Sequence, residues 1–136
     1  MSQENVEIVK NVIAAWNRRD LDTILSVTDP EAEYVNAPMA VEPGTRHGHL
    51  ELSEVFRKQW EGLGPDARQE IDRAYVQYDA VITTSRMARR MPGSNTLIEN
   101  RVALRWTLRD GRLVRIEVLG AGSSFREALE AAGLSE

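Results

Sequence analysis

Tyr34 and Asn36 place a phenol and an amide two residues apart in the segment 33–36. Successive side chains of a β-strand point to opposite faces, so both groups would lie on one face and could hold the same water or ligand. An amide cannot accept a proton from carbon, whereas a carboxylate at Asn36 could act as a general base. The pair therefore predicts hydrogen bonding to a bound molecule rather than proton abstraction.

The two histidines of the chain, His47 and His49, precede a predicted helix. We interpret His49 as a helix-start residue that makes local hydrogen bonds. His47 is a candidate functional residue, because loops at the mouth of a cavity often carry ligand contacts. Tyr34, Asn36 and His47 are thus the best candidates for a catalytic role. The sequence has no cysteine, so thiolate metal sites and cysteine nucleophiles are excluded, and we expect no metal and no cofactor.

Helices flank the strand that carries Tyr34 and Asn36. Apolar residues at spacings of three and four predict an amphipathic helix over residues 2–17. Asp20 can cap a short second helix, which ends before Asp29 and Pro30. After a connection rich in proline and glycine, the same spacing predicts a third helix over residues 49–62.

Beyond residue 65 the period of the apolar residues changes from 3.6 to 2, which predicts strands near 69–77, 80–90, 96–109 and 112–119 before a last helix over 124–132. Helices followed by antiparallel strands indicate an α+β fold. We expect a strongly curved, mainly antiparallel sheet, with the first three helices on its concave face and a conical cavity between them. No repeat or long linker divides the chain, so residues 1–136 should form a single domain.

Alternation along the neighbouring strands predicts a mostly apolar cavity wall if Asn36 faces inward. The inward-facing residues would be Thr84, Arg86, Val102, Leu104, Trp106, Val114, Ile116 and Val118, closed over by Trp16, Phe56 and Trp60. The predicted ligand contacts are Trp16, Tyr34, Asn36, Phe56, Trp60, Arg86, Leu104, Trp106 and Val118. Trp16 and Trp106 are also typical core residues. A buried Arg86 would need a carboxylate from the protein or from a ligand, unless it lies in solvent at the open end of the sheet.

The charge balance and the apolar segments exclude other classes of protein. The net charge of −4 argues against nucleic-acid binding. No apolar stretch approaches the ~20 residues that span a bilayer, and the N-terminus has no basic or apolar leader pattern. We therefore expect a cytoplasmic protein without membrane contact.

A family resemblance rests on five stretches of the chain: residues 14–22, the strand ending in Asn36, residues 46–49, residues 106–118 and residues 126–134. Together they resemble the SnoaL-like branch of the nuclear transport factor 2 superfamily, which implies a cystatin-like fold and a homodimer formed through the outer face of the sheet. The superfamily contains isomerases, epoxide hydrolases, polyketide cyclases, dehydratases and non-catalytic binders. Resemblance at the level of the fold therefore does not choose the function.

The ketosteroid isomerases of this superfamily use a general-base aspartate, a tyrosine and a protonated aspartate. The resemblance puts Asn36, Val12 and Leu104 at these three positions. None of the three can take over its counterpart's role, which argues against isomerase chemistry.

The limonene-epoxide hydrolases hold the attacking water with a tyrosine and an asparagine, a pattern that Tyr34 and Asn36 match. Arg86 resembles the arginine that bridges two aspartates in those enzymes, but Ala88 and Val118 fall near the two acidic positions. The water-holding half of the site is thus present in the sequence, while the acid-base half is missing.

The polyketide cyclases named with this branch pair an aspartate with a histidine, which His47 or His49 could supply. Three functions remain open. The leading hypothesis is a protein that binds a small hydrophobic or carboxylate-bearing molecule. The alternatives are a cofactor-free hydrolase, lyase or isomerase that uses a water held by Tyr34 and Asn36, and a dimeric interaction module without a ligand.

Overall fold

The computed structural model describes residues 2–37, 40 and 42–134. The chain forms four α-helices, α1 Ser2–Asn17, α2 Leu21–Ser26, α3 Gly48–Leu63 and α4 Phe125–Ala131. It forms six strands, β1 Thr28–Asn36, β2 Gly44–His47, β3 Arg68–Gln77, β4 Ala80–Arg90, β5 Leu97–Arg109 and β6 Arg112–Ala121, and a 3₁₀ turn at Gly122–Ser124. None of the described helices is long and apolar enough to cross a membrane.

The six strands form one sheet in the order β2-β1-β6-β5-β4-β3. The β1–β6 pair is parallel and the other pairs are antiparallel. The predicted α+β class and the four strands after residue 65 are confirmed. The short β2 was missed, because four residues that begin at a glycine and follow a proline read as a turn. Strand β1 also begins earlier than expected, at Thr28, and its pairing with β6 shifts register between Thr28 and Glu33, around Pro30.

Further irregularities bend the sheet. The register shifts between Ile71 and Arg73 of β3, and at two points of the β5–β6 pair, after Ala103 and after Thr107. A bulge bends its strand and increases the local twist. We therefore expect these register shifts to add twist and curvature to the sheet.

The helices α1 and α3 bury their apolar stripes against the sheet. In α1 the five apolar residues at this spacing, Val6, Val9, Val12, Ile13 and Trp16, are all buried, and Ala15 is buried beside them. They join one core cluster with Leu52 and Phe56 of α3 and with Leu104, Trp106 and Ile116 of the sheet. This cluster surrounds the cavity described below.

The turn after α1 starts the next helix as the sequence predicts. Arg19 adopts a positive φ of 61°, and the Asp20 side chain then caps α2 by accepting hydrogen bonds from the backbone N–H of Thr23 (3.2 Å) and from its hydroxyl (2.6 Å). These bonds hold the pKa of Asp20 below its usual value.

The helix α4 packs on the opposite face of the sheet. Phe125 and Leu129 form a small cluster with Ala103, which alternates with the inward-facing Leu104 along β5. Part of the outer face, through which a homodimer is expected, is therefore covered by the chain's own helix. The homodimer stays a prediction.

Candidate functional site

A cavity of about 220 Å³ lies between α1, α3 and the inner face of the sheet. Most of its wall is apolar, and four polar residues, Tyr34, Asn36, Gln59 and Gln69, interrupt it. The described lining residues are Val12, Ile13, Trp16, Tyr34, Asn36, Phe56, Gln59, Leu63, Gln69, Met87, Val102, Leu104, Trp106, Ile116 and Val118. None of these residues is charged or a histidine.

Tyr34 is held in the cavity wall by a chain of hydrogen bonds. The Trp16 indole N–H donates to Oε1 of Gln59 (2.9 Å), and Nε2 of Gln59 donates to the Tyr34 hydroxyl oxygen (2.8 Å). An indole can only donate, so it fixes the Gln59 amide with its NH₂ group toward Tyr34. The Tyr34 oxygen thus acts as an acceptor here, and since no described residue accepts its own proton, that proton is available to a ligand.

Burial keeps the Tyr34 hydroxyl protonated. The residue is 5% exposed, and its ring meets Phe56 edge to face at 6.0 Å. Loss of solvation raises the pKa of Tyr34 to about 12, although the hydrogen bond from Gln59 acts in the opposite direction. The cavity therefore contains a neutral hydrogen-bond donor rather than a phenolate, at neutral pH and in alkaline solution up to about pH 12.

The raised pKa of Tyr34 predicts a loss of stability in alkali. The unfolded chain releases this proton near pH 10, whereas the folded chain holds it up to about pH 12, so a rise in pH through this window favours unfolding. Two pKa units correspond to about 2–3 kcal/mol. We expect urea unfolding curves to show that, between pH 10 and pH 12, the free energy of unfolding of Tyr34→Phe falls by about 2–3 kcal/mol less than that of the wild type. Equal losses in both proteins would contradict this assignment.

Asn36 lies where the cavity meets a second, wider depression of about 550 Å³. Its Nδ2 donates to the backbone oxygen of Glu42 (2.8 Å). The depression shares Asn36 and Gln59 with the cavity, and its charged lining residues are Glu42, Arg46, Glu51, Glu54 and Lys58. Asn36 therefore stands at the boundary: the charged residues line the outer depression, and the apolar wall lines the cavity.

Gln69 adds another polar group to the cavity wall, from strand β3 at the opposite edge of the sheet. Its backbone is fixed by the Asn17 side chain, which donates to the Gln69 carbonyl (2.9 Å) and accepts from the Gln69 N–H (2.8 Å). Next to it, the Arg19 guanidinium donates to the backbone oxygens of Gly64 (2.7 Å) and Ala67 (3.0 Å). The end of α1 thus fixes the start of β3.

The Gln69 side chain, in contrast to its backbone, has an unused acceptor. The residue is 6% exposed, and its Oε1 is buried without a hydrogen-bond partner among the described residues. Gln59 and Gln69 were both missed as site residues. For Gln59 the available signal was a glutamine on the apolar face of α3. For Gln69 it was a glutamine at the start of a predicted strand whose neighbours on the same face, Ala67 and Ile71, are apolar.

The structure brings together seven of the nine predicted ligand contacts, namely Trp16, Tyr34, Asn36, Phe56, Leu104, Trp106 and Val118. Trp60 lies behind this wall, 6.2 Å from the rings of both Trp16 and Phe56, and its indole N–H donates to the Trp16 carbonyl (3.1 Å). Trp60 supports the lining without being part of it. A ligand-binding role for all of these residues stays a prediction.

The interpretation that placed Thr84 and Arg86 on the inner face is wrong. Thr83 pairs with Leu104 and accepts a hydrogen bond from the Trp106 indole (2.9 Å), so the odd-numbered residues of β4 lie on the inner face of the sheet, where Met87 lines the cavity. Arg86 lies on the outer side and pairs with Asp72 (3.0 Å) and Glu70 (3.9 Å) of β3. Alternation tells which residues of one strand share a face. Which of the two faces points inward depends on the register with the neighbouring strand, and that register was not predictable from the sequence.

Val114 also lies outside the cavity, in an outer depression with Arg115, next to the register shift after Thr107. His47 is exposed, and its Nε2 is 3.7 Å from the Glu31 carboxylate. His49 donates from Nε2 to the Thr28 carbonyl (2.9 Å), a contact across 21 residues rather than the local bond that was expected. Neither histidine reaches the cavity wall.

The described lining residues offer hydrogen bonding and apolar contact. Asn36 and Tyr34 share the wall, as alternation predicted, but no acid or histidine stands beside them there. Within residues 2–37, 40 and 42–134, no group of three or more histidine, aspartate or glutamate side chains could hold a metal ion.

Solved structures with the same fold include three with high coverage. TerC, co-crystallized with polyporic acid, is 25% identical, covers 85% of this chain and 89% of its own, and has a TM-score of 0.71. A protein from Catenulispora acidiphila with a ketosteroid isomerase-like fold, in complex with trimethylamine, is 19% identical over 94% of this chain and 93% of its own, with a TM-score of 0.70. A cystatin-like protein from Xanthomonas campestris is 17% identical over 84% and 88%, with a TM-score of 0.72.

Curated proteins provide no match to this chain. The family model of the SnoaL-like domain matches residues 9–116, which include the second half of α1, all of α3, the Tyr34–Asn36 pair, Gln69 and most of the sheet. Because this match covers most of the 136 residues, the chain belongs to the SnoaL-like domain family.

Proposed function

We propose that the protein binds a small, uncharged, largely apolar molecule in the cavity between α1, α3 and the sheet. The observation that carries this proposal is an apolar wall interrupted by the Tyr34 hydroxyl, whose oxygen accepts from Gln59 and which has no hydrogen-bond acceptor for its own proton among the described residues. Ligand sites commonly combine an apolar wall with a few fixed polar groups in this way.

The volume limits the size of the ligand. About 220 Å³ is below the ~300–1,000 Å³ of pockets for drug-sized compounds. An apolar cavity of ~150 Å³ already accepts benzene. A substituted single ring is therefore the size class that fits.

The absence of charge from the described lining limits the ligand's chemistry. A carboxylate in this cavity would lose its hydration without gaining a cation, because Arg86 lies on the outer face. We therefore favour a neutral ligand over the carboxylate-bearing one that an inward-facing Arg86 would have bound.

A hydrolase that uses a water held by Tyr34 and Asn36 is less well supported. Such an enzyme needs a proton acceptor within about 2.6–3.2 Å of the water, and the described cavity wall has no acid or histidine. The acids Glu42, Glu51 and Glu54 line the outer depression and not the described cavity wall, and two of them are engaged there: Glu42 pairs with Lys58 (3.5 Å) and Glu51 accepts from the His47 backbone N–H (2.7 Å). An isomerase lacks a base for the same reason.

Related structures support small-molecule binding. TerC was co-crystallized with polyporic acid, and the Catenulispora acidiphila protein is in complex with trimethylamine. These ligands belong to those proteins. For this chain they support only the general class of function.

The proposal can be tested with a matched pair of probes. Acetophenone is neutral, and benzoate is an anion of similar size. We expect acetophenone, added to ¹⁵N-labelled protein, to shift the indole N–H signals of Trp16 and Trp106, and benzoate to bind at least tenfold more weakly. Native mass spectrometry of the purified protein should in parallel reveal any retained neutral compound. Tighter binding of benzoate, or no response to acetophenone, would refute the proposal.

A further inference from the structure

We infer, on the basis of the proposed function, that the ligand presents a hydrogen-bond acceptor to Tyr34 and a hydrogen-bond donor to Gln69. The compound class is a small ring that carries a carbonyl at one end and a hydroxyl or N–H at the other. Gln69, which no sequence motif indicated, would then determine specificity.

The side chain of Gln69 carries a buried hydrogen-bond acceptor without a partner among the described residues. Buried side-chain oxygens almost always have a hydrogen-bond partner, and an acceptor without one destabilises the folded protein. Gln69 Oε1 is buried without a partner among the described residues, although the backbone of the same residue is paired on both sides with Asn17. Gln69 lines the cavity, and its Oε1 has almost no accessible surface of its own, so a rotation of the side-chain amide would bring this oxygen to a donor in the cavity.

Ser85 carries a second buried polar group without a partner among the described residues. Ser85 Oγ is also buried without a partner, but Ser85 does not belong to the described cavity lining. In the β3–β4 pair, Gln69 is opposite Met87 and Ser85 is opposite Ile71, so the two polar residues are diagonal neighbours without a mutual hydrogen bond. Ser85 is therefore a matched control: a buried, unpaired polar residue on the same inner face of the sheet that does not line the cavity.

Tyr34 and Gln69 lie at opposite ends of the cavity wall that the sheet contributes. Tyr34 lies on β1 and Gln69 on β3, and strands β6, β5 and β4 separate them in the sheet. The wall contributed by β5 and β6 is apolar, with Val102, Leu104, Trp106, Ile116 and Val118. Tyr34 offers a proton, and Gln69 offers a lone pair. A ligand that satisfies both groups needs an acceptor, an apolar body and a donor, in that order.

The inference is tested with three probes at pH 6, where all three are neutral. 4-Hydroxyacetophenone carries both groups, acetophenone carries only the carbonyl, and 4-ethylphenol carries only the hydroxyl. In the wild type we expect 4-hydroxyacetophenone to bind about 5–10-fold more tightly than either of the others, as one additional hydrogen bond implies. The readout is the titration of the Trp16 and Trp106 indole signals.

Two substitutions separate the two ends of the ligand. In Gln69→Leu, 4-hydroxyacetophenone should bind no more tightly than acetophenone. In Tyr34→Phe, it should bind no more tightly than 4-ethylphenol. Ser85→Ala should retain the wild-type order of the three probes. Without ligand, Gln69→Leu should unfold at the same or a higher urea concentration than the wild type, because it removes an unpaired buried acceptor.

The outcomes distinguish this inference from the proposed function. If acetophenone does not bind to the wild type, the proposed function fails. If acetophenone binds but the hydroxyl gives no gain, or if Gln69→Leu retains that gain, only the assignment of Gln69 fails. A strong loss of stability in Gln69→Leu would assign the side chain a structural role and would also overturn the inference.

Discussion

Val118→Phe is expected to weaken acetophenone binding by about 100-fold while the protein remains folded. Val118 lines the cavity from β6, and a phenyl ring placed there would occupy much of its ~220 Å³. The larger side chain fills space that already exists, so the expected cost in stability is at the lower end of the ~1–3 kcal/mol typical of overpacked cores. Titration of the Trp16 and Trp106 indole signals measures the affinity, and urea unfolding measures the stability.

The matched control is the same substitution outside the cavity. Val76 lies on β3, is 47% exposed and does not line the cavity. Val76→Phe should leave acetophenone affinity within twofold of the wild type. If both variants lose affinity equally, the effect does not come from occupying the cavity, and the probe binds elsewhere.

Asn17→Ala is expected to lower the free energy of unfolding by about 2–3 kcal/mol. The Asn17 amide makes two hydrogen bonds to the backbone of Gln69, and the substitution leaves both backbone groups without this partner. The variant should also lose the preference for 4-hydroxyacetophenone over acetophenone, because Gln69 would no longer be held in place. Urea unfolding tests the first effect, and the probe titration tests the second.

Asn11→Ala provides the comparison within the same helix. Asn11 is an exposed residue of α1, and alanine has the higher helix propensity, so this variant should be as stable as the wild type or slightly more stable. If Asn17→Ala costs no more than Asn11→Ala, the pairing with Gln69 contributes little, and the account of how α1 fixes the start of β3 is wrong.

The sequence predicted those parts of the fold that depend on local pattern. The spacing of Val9, Val12 and Trp16 predicted α1, and the alternation beyond residue 65 predicted the strands near 96–109 and 112–119 that form β5 and β6. Strand β2 could not be predicted in this way, because its four residues become a strand only by pairing with β1. Its formation depends on tertiary contacts rather than on residue preference.

The residues that line the cavity were predictable where their orientation depends on a single strand or a single helix face. Tyr34 and Asn36 share a wall because they are two residues apart on the same strand. Arg86 was misplaced because its orientation depends on the register between β4 and β5, which the bonded pair of Thr83 and Trp106 reveals only in the folded chain. The unpaired oxygen of Gln69 is likewise a property of the packed interior.

The pairing of Asn17 with Gln69 has a consequence for how molecules of this protein meet one another. Strand β3 is at one edge of the sheet, and an unpaired strand edge is a template on which another chain can add a strand and begin to aggregate. At Gln69 the Asn17 amide already occupies both the N–H and the carbonyl, and a few residues further on the bulge between Ile71 and Arg73 interrupts the regular ladder. The residue that fixes one wall of the cavity therefore also protects the start of this edge from intermolecular strand pairing.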